Sequence, residues 1–268
     1  MKVFIAVDLE GVAGYFRWDP ADRQREREFI TGEANAAIAG AFEGGATEVL
    51  VTEAHGNMRN IIPEKLDRRA TFLSGQPKPM NHMAGIDDTF DAAMFVGYHS
   101  KAGTRGGVMA HTYRVIIFSL RFNGVEVGEL GADAAIAGYY GVPVVLLTGD
   151  SAACNEGREL LDDIETVAVK EGVSRYAAKS KPPEEAHRLI QEGARRALSR
   201  VKTVRPFTFK PPVTAEVTFI DPFYADSVAN LPFVERVDGC TVRFTSGDYL
   251  EVIEIFYVLS RVADSYRQ

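Results

Sequence analysis

The sequence predicts an α/β fold, with a mostly parallel sheet flanked by helices and a smaller C-terminal α+β region. Short apolar runs alternate with longer helical segments over the first 150 residues, which is typical of consecutive βαβ units. After Val201, prolines and strands of alternating polar and apolar residues replace that pattern. We therefore expect an α/β domain over residues 1–200 and a smaller α+β region over residues 201–268.

The first three elements form a predicted βαβ unit. Val3–Val7 is a continuous apolar run, as expected for a strand that is buried on both faces. Arg23–Phe42 carries apolar residues four positions apart and is followed by Gly44-Gly45, so it predicts a helix that ends there. Glu48–Thr52 is the next predicted strand. Two strands joined by such a helix are expected to be parallel.

The elements that follow show the same kinds of signal. Asn123-Gly124 predicts a hairpin between Val115–Phe122 and Val125–Val127. Acidic residues after Pro182-Pro183 mark the start of an amphipathic helix. The remaining predictions are buried strands over Ala92–Tyr98 and Val142–Thr148, half-exposed strands over Val213–Phe219 and Thr241–Thr245, and helices over Ala132–Tyr140, Ser151–Asp162, Glu184–Val201 and Asp248–Ala263.

Composition excludes several classes of protein. The 268 residues are 46% hydrophobic and 25% charged, as in ordinary globular proteins, and the net charge of −7 disfavours nucleic acid as a partner. We expect no membrane partner, because no run of about 18 apolar residues occurs. The apolar run at the N-terminus is too short for a secretion signal. Cys154 and Cys240 are far apart, so we expect reduced core thiols and a cytoplasmic location.

Polar residues follow three of the predicted strands directly. Asp8 and Glu10 come after the first strand, His55 comes after the second, and His99 comes after Ala92–Tyr98. Ligands of open α/β sheets bind at the carboxyl ends of the parallel strands. We therefore expect these two carboxylates and two imidazoles to lie together at one edge of the sheet.

Carboxylates and imidazoles together are typical ligands of zinc, manganese or iron at hydrolytic centres. We favour Asp8 as a bridge between two ions, which would lie about 3.5–4 Å apart. Glu129 is a third carboxylate, placed between glycines at the entrance of a predicted helix. His111 follows a glycine-rich stretch and is a hypothetical base or proton donor.

Each of these residues also has an ordinary structural interpretation when it is taken alone. A single Asp after a strand usually caps a helix, and a single His is more often a hydrogen-bonded or surface residue. We assign no role to His82 or His187, and we interpret Asp150 as a lesser candidate that is also suited to capping. The sequence has no dinucleotide fingerprint, phosphate loop, nucleophile elbow or HExxH motif.

At these positions the sequence resembles the zinc-dependent D-aminopeptidase family. The resemblance runs over most of the chain and is densest in residues 1–150. The motifs that carry it are Val7-Asp8-Leu9-Glu10-Gly11, Glu53-Ala54-His55, Gly97-Tyr98-His99, Gly107-Val108-Met109-Ala110-His111 and Val127-Gly128-Glu129-Leu130-Gly131.

The resemblance implies an aminopeptidase with two zinc ions per subunit, acting on short peptides that begin with a D-residue. It also implies a homo-oligomer of ten subunits. His111 would be the catalytic residue, and Asp8 would bridge the two ions. The implied zinc ligands are Asp8, Glu10, His55, His99 and Glu129.

The residues themselves leave other functions open. The same ligands suit another dinuclear metallohydrolase, such as a phosphoesterase or an amidohydrolase. A non-catalytic module that only captures a metal ion or a peptide is a further alternative. Turnover of matched D- and L-peptides, measured together with metal content, distinguishes these hypotheses.

Overall fold

The computed structural model describes residues 1–267 of the chain. Its strands are β1 (Lys2–Val7), β2 (Glu48–Glu53), β3 (Thr71–Leu73), β4 (Ala92–Tyr98), β5 (Ile117–Phe122), β6 (Val125–Val127), β7 (Val144–Asp150), β8 (Glu165–Ser174), β9 (Ala177–Ser180), β10 (Val213–Phe219), β11 (Glu235–Arg236) and β12 (Thr241–Ser246). Its α-helices are α1 (Arg23–Glu43), α2 (Glu129–Tyr139), α3 (Ser151–Leu161), α4 (Pro183–Leu198), α5 (Pro222–Val228) and α6 (Tyr249–Ser265).

Seven of the strands between residues 2 and 180 form one sheet in the order β3-β2-β1-β4-β7-β8-β9. Every neighbouring pair is parallel except β8 and β9. All residues of β4 and β7 are buried, so both faces of the sheet are covered there. Helices α1 and α4 pack against each other over the sheet, and α2 and α3 pack on β7. The predicted α/β fold with a mostly parallel sheet is confirmed.

The second sheet is antiparallel, in the order β11-β12-β10-β5-β6. The predicted hairpin joins β5 and β6, and both Asn123 and Gly124 have the positive φ that its turn requires. Helices α5 and α6 pack against β10 and β12. Because β5 and β6 precede residue 200, this sheet crosses the predicted division of the chain. The domain boundary near residue 200 stays a prediction.

Several elements differ from their prediction for identifiable reasons. Helix α2 begins at Glu129 rather than Ala132, which places this carboxylate in its first turn. Asp150, not Ser151, caps α3, since its carboxylate accepts a hydrogen bond from the Ala153 amide at 2.7 Å. Strand β8 gave no signal in the sequence, because charged residues interrupt its apolar positions.

The two cysteines are free thiols. Cys154 is buried as predicted. The expectation of a core thiol is wrong for Cys240, which is only half-buried and directly precedes β12. Within residues 1–267, no helix combines the length and apolar character needed to cross a bilayer.

Candidate metal centre

The site lies where the strand order reverses. From β1 the sheet continues through β2 and β3 on one side, and through β4 and β7 on the other. The carboxyl ends of β1 and β4 therefore flank a crevice of the kind in which open α/β sheets bind ligands. Asp8 and Glu10 follow β1, and His99 follows β4 directly. His55 enters from the end of β2.

Two further residues of the crevice come from the part of the chain that follows β4. Glu129 is buried in the first turn of α2, and its Oε1 accepts a hydrogen bond of 2.7 Å from the Tyr113 amide. His111 lies in the loop before Tyr113, with its Nε2 atom 3.6 Å from the same carboxylate oxygen. The structure thus brings together all six residues that the sequence singled out, namely Asp8, Glu10, His55, His99, His111 and Glu129.

His99 lies between the carboxylates on the two sides of the crevice. Its Nε2 atom is 3.6 Å from Asp8 Oδ2 and 3.3 Å from Glu129 Oε1. Two groups of donor atoms, each within 4.8 Å of one another, share this imidazole. One consists of Asp8, Glu10 and His99, and the other of His99, His111 and Glu129. The two groups therefore mark two adjacent positions for a cation, and the single free lone pair of His99 can bind an ion at one of them.

His55 belongs to the Asp8 side of the crevice. Its Nδ1 atom is 2.6 Å from Glu10 Oε2 and 3.5 Å from Asp8 Oδ1. The indole of Trp18 donates a hydrogen bond of 2.8 Å to the other oxygen of Glu10. Glu10 is therefore fixed from both sides.

Backbone carbonyls orient the imidazoles of His99 and His111. Nδ1 of His99 donates to the Ser100 carbonyl, and Nδ1 of His111 donates to the Met109 carbonyl, each at 2.9 Å. With Nδ1 holding a proton, Nε2 is left as the atom that can accept a proton or bind a metal ion. The two rings stack with their centroids 4.1 Å apart.

Burial and mutual charge shift the pKa values of these groups in opposite directions. Burial, with the charge of Glu10 added, raises the pKa of Asp8 to about 6. Burial opposes ionisation of Glu129 as well, but His99 outweighs it and lowers the pKa of Glu129 to about 2. Burial would lower the pKa of His99, whereas Glu129 and Asp8 raise it to about 10. Burial and the charge of His99 both lower the pKa of His111.

Two unpaired polar atoms in the site indicate that it can bind a divalent cation. Within residues 1–267, Asp8 Oδ2 and His99 Nε2 are buried and have no hydrogen-bond partner, although they lie only 3.6 Å apart. Buried polar atoms are nearly always paired, so two unpaired atoms facing each other call for a ligand between them. Their chemistry, carboxylate oxygen and imidazole nitrogen, suits zinc.

His82, to which the sequence assigns no role, lies beside the site as a buried and hydrogen-bonded residue. His82 is buried on a short 3₁₀ turn, Asn81–Met83, and its Nδ1 atom is 3.0 Å from Asp133 Oδ2 and 3.7 Å from Glu129 Oε2. Asp133 also accepts hydrogen bonds from the hydroxyls of Tyr98 and Tyr113, at 2.9 and 2.8 Å. Through His82, this network lies beside the carboxylate of Glu129.

The sequence held a partial signal for that network. Glu129 and Asp133 are four residues apart, so on a helix they share one face. His82 gave no such signal, because it follows no predicted strand and is brought to the site by packing alone. His187 lies against Gly32 of α1, away from the crevice.

Two buried charged residues hold the loop that carries Glu10. The ammonium group of Lys170 donates to the carbonyls of Glu10 and Val12, at 2.5 and 2.9 Å, and to that of Tyr15. Glu33 accepts a hydrogen bond of 2.7 Å from the Ala13 amide. Burial lowers the pKa of Lys170 to about 8. The loop after β1 is therefore fixed by side chains that come from β8 and α1.

A cavity of about 410 Å³ opens from the metal centre. Its inner end is acidic, with Asp8, Glu10 and Glu129 in the wall. Its outer wall consists of the loop that contains Arg114 and of the last turns of α6. The cavity therefore changes from acidic to basic along its length.

Comparison with known proteins identifies the family of this chain. The D-aminopeptidase family matches residues 1–258 of this chain. The chain belongs to the D-aminopeptidase family. A D-aminopeptidase of Bacillus subtilis strain 168 is 38% identical over 272 residues, which cover 98% of each chain.

A solved structure of the family has the same fold. The Zn-dependent D-aminopeptidase DppA from Bacillus subtilis, described as a self-compartmentalizing protease, matches with a TM-score of 0.96 and 36% sequence identity, and the match covers 100% of both chains. The resemblance that the strand-end motifs indicated is thereby confirmed. The roles of the individual site residues stay predictions.

Proposed function

We propose that this protein is a dinuclear zinc aminopeptidase that removes the N-terminal residue, preferably a D-residue, from short peptides. Membership of the D-aminopeptidase family and similarity to a Zn-dependent protease support a metal-dependent hydrolase. The observation that carries the proposal in this chain is the pair of donor groups that share His99. Two adjacent groups of this kind are what a two-metal hydrolytic centre requires.

Five side chains would hold the metal in this proposal. Zinc, when bound, lowers the pKa of water toward about 7 and polarises a peptide carbonyl. Asp8 is the predicted bridge. The ligands are Asp8, Glu10, His55, His99 and Glu129.

His111 is the proposed acid–base residue. Its lowered pKa keeps it neutral near pH 7, and its Nε2 atom is free to accept a proton because Nδ1 donates to the Met109 carbonyl. It would take this proton from the attacking water and pass it to the nitrogen of the leaving amine as the peptide C–N bond breaks. The acidic end of the cavity favours the ammonium group at the start of a peptide, which explains why cleavage would occur after the first residue.

The central test measures metal content and stereochemistry on the same preparation. We expect elemental analysis to find zinc, and we expect D-Ala-D-Ala to be hydrolysed at least tenfold faster than L-Ala-L-Ala. His99→Ala should lose both the bound zinc and the activity, because it removes an imidazole ligand that lies next to both groups of donors. His187→Ala, which alters an imidazole outside the cavity, is the matched control.

The other functions correspond to distinct results of that test. Preferred turnover of a phosphate ester would point to a phosphoesterase, and faster hydrolysis of L-peptides would refute the D-preference. Tight peptide binding without turnover would favour a capture module. Full activity and unchanged zinc content in His99→Ala would contradict the proposed ligand set.

We also propose that the chain forms a homo-oligomer of ten subunits. The relative described as self-compartmentalizing supports an assembly, since a compartment requires several copies of a chain of this size. A cytoplasmic location stays a prediction.

A further inference from the structure

The outer wall of the cavity is one face of α6. Tyr257, Arg261 and Asp264 all line the cavity, and their spacing of four and three residues places them on the same side of the helix. The Tyr257 hydroxyl is 3.5 Å from that of Tyr113, whose backbone amide contacts Glu129. This face of α6 and the carboxylates of the metal centre therefore line the same cavity.

Arg261 is the unpaired cation of this face. Its side chain is exposed, and within residues 1–267 no carboxylate lies within ion-pair distance of it. Arg114, across the cavity, is fixed by an ion pair of 2.8 Å with Asp264. Arg267 also lines the cavity, and its Nε atom lies 3.7 Å from the same carboxylate. The outer end therefore has three guanidinium groups and one carboxylate.

The size of the cavity suits a short peptide. Its volume of about 410 Å³ lies within the roughly 300–1,000 Å³ of ordinary ligand sites. Arg114 and Arg261 line it together with the carboxylates of Asp8, Glu10 and Glu129. A peptide that is bound in this cavity thus meets acidic side chains as well as guanidinium groups.

We propose that Arg261, assisted by Arg114, binds the free C-terminal carboxylate of a short peptide and so selects such peptides as substrates. The inference rests on the proposed aminopeptidase function and names its substrate class. A zwitterion matches both ends of the cavity, because the acidic end attracts its ammonium group and the basic end its carboxylate. Arginine suits this role, since its planar guanidinium forms paired hydrogen bonds with a carboxylate.

A second cavity supports the assignment. It is lined by Pro77, Lys78 and Asn81 together with Tyr257 and Arg261, so Arg261 stands at the junction of the two cavities. The guanidinium is therefore reachable from the metal centre and from the outside.

The test compares two substrates that differ only at the C-terminus. D-Ala-D-Ala and its C-terminal amide have the same scissile bond and the same amine, but only the acid has a carboxylate. For the zinc-loaded wild-type enzyme we expect a lower KM for the acid. Arg261→Gln should raise the KM of the acid about tenfold, which is about 1.4 kcal/mol of binding free energy, and leave that of the amide within twofold. Arg261→Lys should restore part of the difference.

Arg195→Gln is the matched control, because it removes an exposed arginine from the last turn of α4, outside the cavity. It should leave the KM values of both substrates unchanged. An equal loss for acid and amide in Arg261→Gln, or a wild-type enzyme that does not prefer the acid, would overturn the carboxylate site. If the wild type hydrolyses neither substrate, the proposed function fails instead, so the two failures are distinguishable.

Discussion

Glu33 is a buried acid outside the metal-ligand set whose protonation the fold perturbs. It is 1% exposed, and burial raises its pKa to about 7, although the Ala13 amide and the charge of Lys170 partly oppose the rise. The folded protein therefore holds this proton up to about pH 7, while an unfolded chain loses it near the ordinary value of 4.5. A raised pKa of this kind stabilises the fold at low pH.

We predict that the stability provided by Glu33 decreases between pH 4.5 and pH 7. Below pH 4.5 both states are protonated, and across this interval only the folded state keeps the proton, so the free energy of unfolding falls as pH rises. Relative to Glu33→Gln, which keeps the acceptor for Ala13, the wild type should lose about 3 kcal/mol. Urea unfolding of the metal-free proteins at pH 4.5 and 7.5 measures this difference.

The control for that experiment is Glu184→Gln, which changes an exposed glutamate in the first turn of α4. Its difference from the wild type should be the same at both pH values. A difference for Glu33→Gln that does not change with pH would show that Glu33 ionises near its ordinary pKa in the folded protein and would contradict the prediction.

The elements of the site approach one another closely because glycines occupy their ends. The Gly11 amide donates to the Gly97 carbonyl at 2.7 Å, which joins the loop after β1 to β4. Gly97 has φ +71°, and a Cβ atom there would lie 2.3 Å from the Asp8 carbonyl oxygen. A side chain at position 97 is thus excluded both by backbone conformation and by contact.

Gly97→Ala should therefore disrupt the metal centre without altering any ligand. The added methyl group must push the Asp8 backbone away from β4, and this moves Asp8 relative to His99. We expect zinc affinity to fall at least tenfold and the melting temperature to fall by several degrees. Competition with a chelator of known affinity measures the first effect, and calorimetry measures the second.

Gly239→Ala provides the comparison for this substitution. Gly239 is exposed, lies in the loop between β11 and β12, and has no other atom within 4 Å of the position of an added Cβ. It should leave zinc affinity unchanged. Unchanged affinity in Gly97→Ala as well would mean that the ends of β1 and β4 can separate without cost to the site.

At the scale of the whole molecule, the proposed assembly predicts a particle mass. One chain has a mass of 29.4 kDa, so ten chains have a mass of about 294 kDa. Light scattering after size-exclusion chromatography should find a single species of that mass, because a homo-oligomer with closed symmetry has one defined size. A monomer at micromolar concentration would contradict an assembly altogether, and a different closed number would correct only the count.

The sequence by itself predicted most of the longer elements and brought most of the candidate site residues to one edge of the sheet. Runs such as Val3–Val7 and Ala92–Tyr98 identified β1 and β4, because a strand buried on both faces must be apolar throughout. Parallel strands end at the same edge of a sheet, so the sequence alone predicts that Asp8, His55 and His99 lie together. For Glu129 and His111, the resemblance to the family supplied what spacing alone left open.

Tertiary structure alone decided which distant residues support those ligands. His82 and Asp133 are 51 positions apart, and Lys170 and Glu10 are 160 apart. It also decided that β5 and β6 join the second sheet and that Arg261 of α6 faces the cavity. Periodicity reports the conformation of neighbouring residues and which face is buried. Contacts across the fold depend instead on how completed elements pack, and no local pattern encodes that packing.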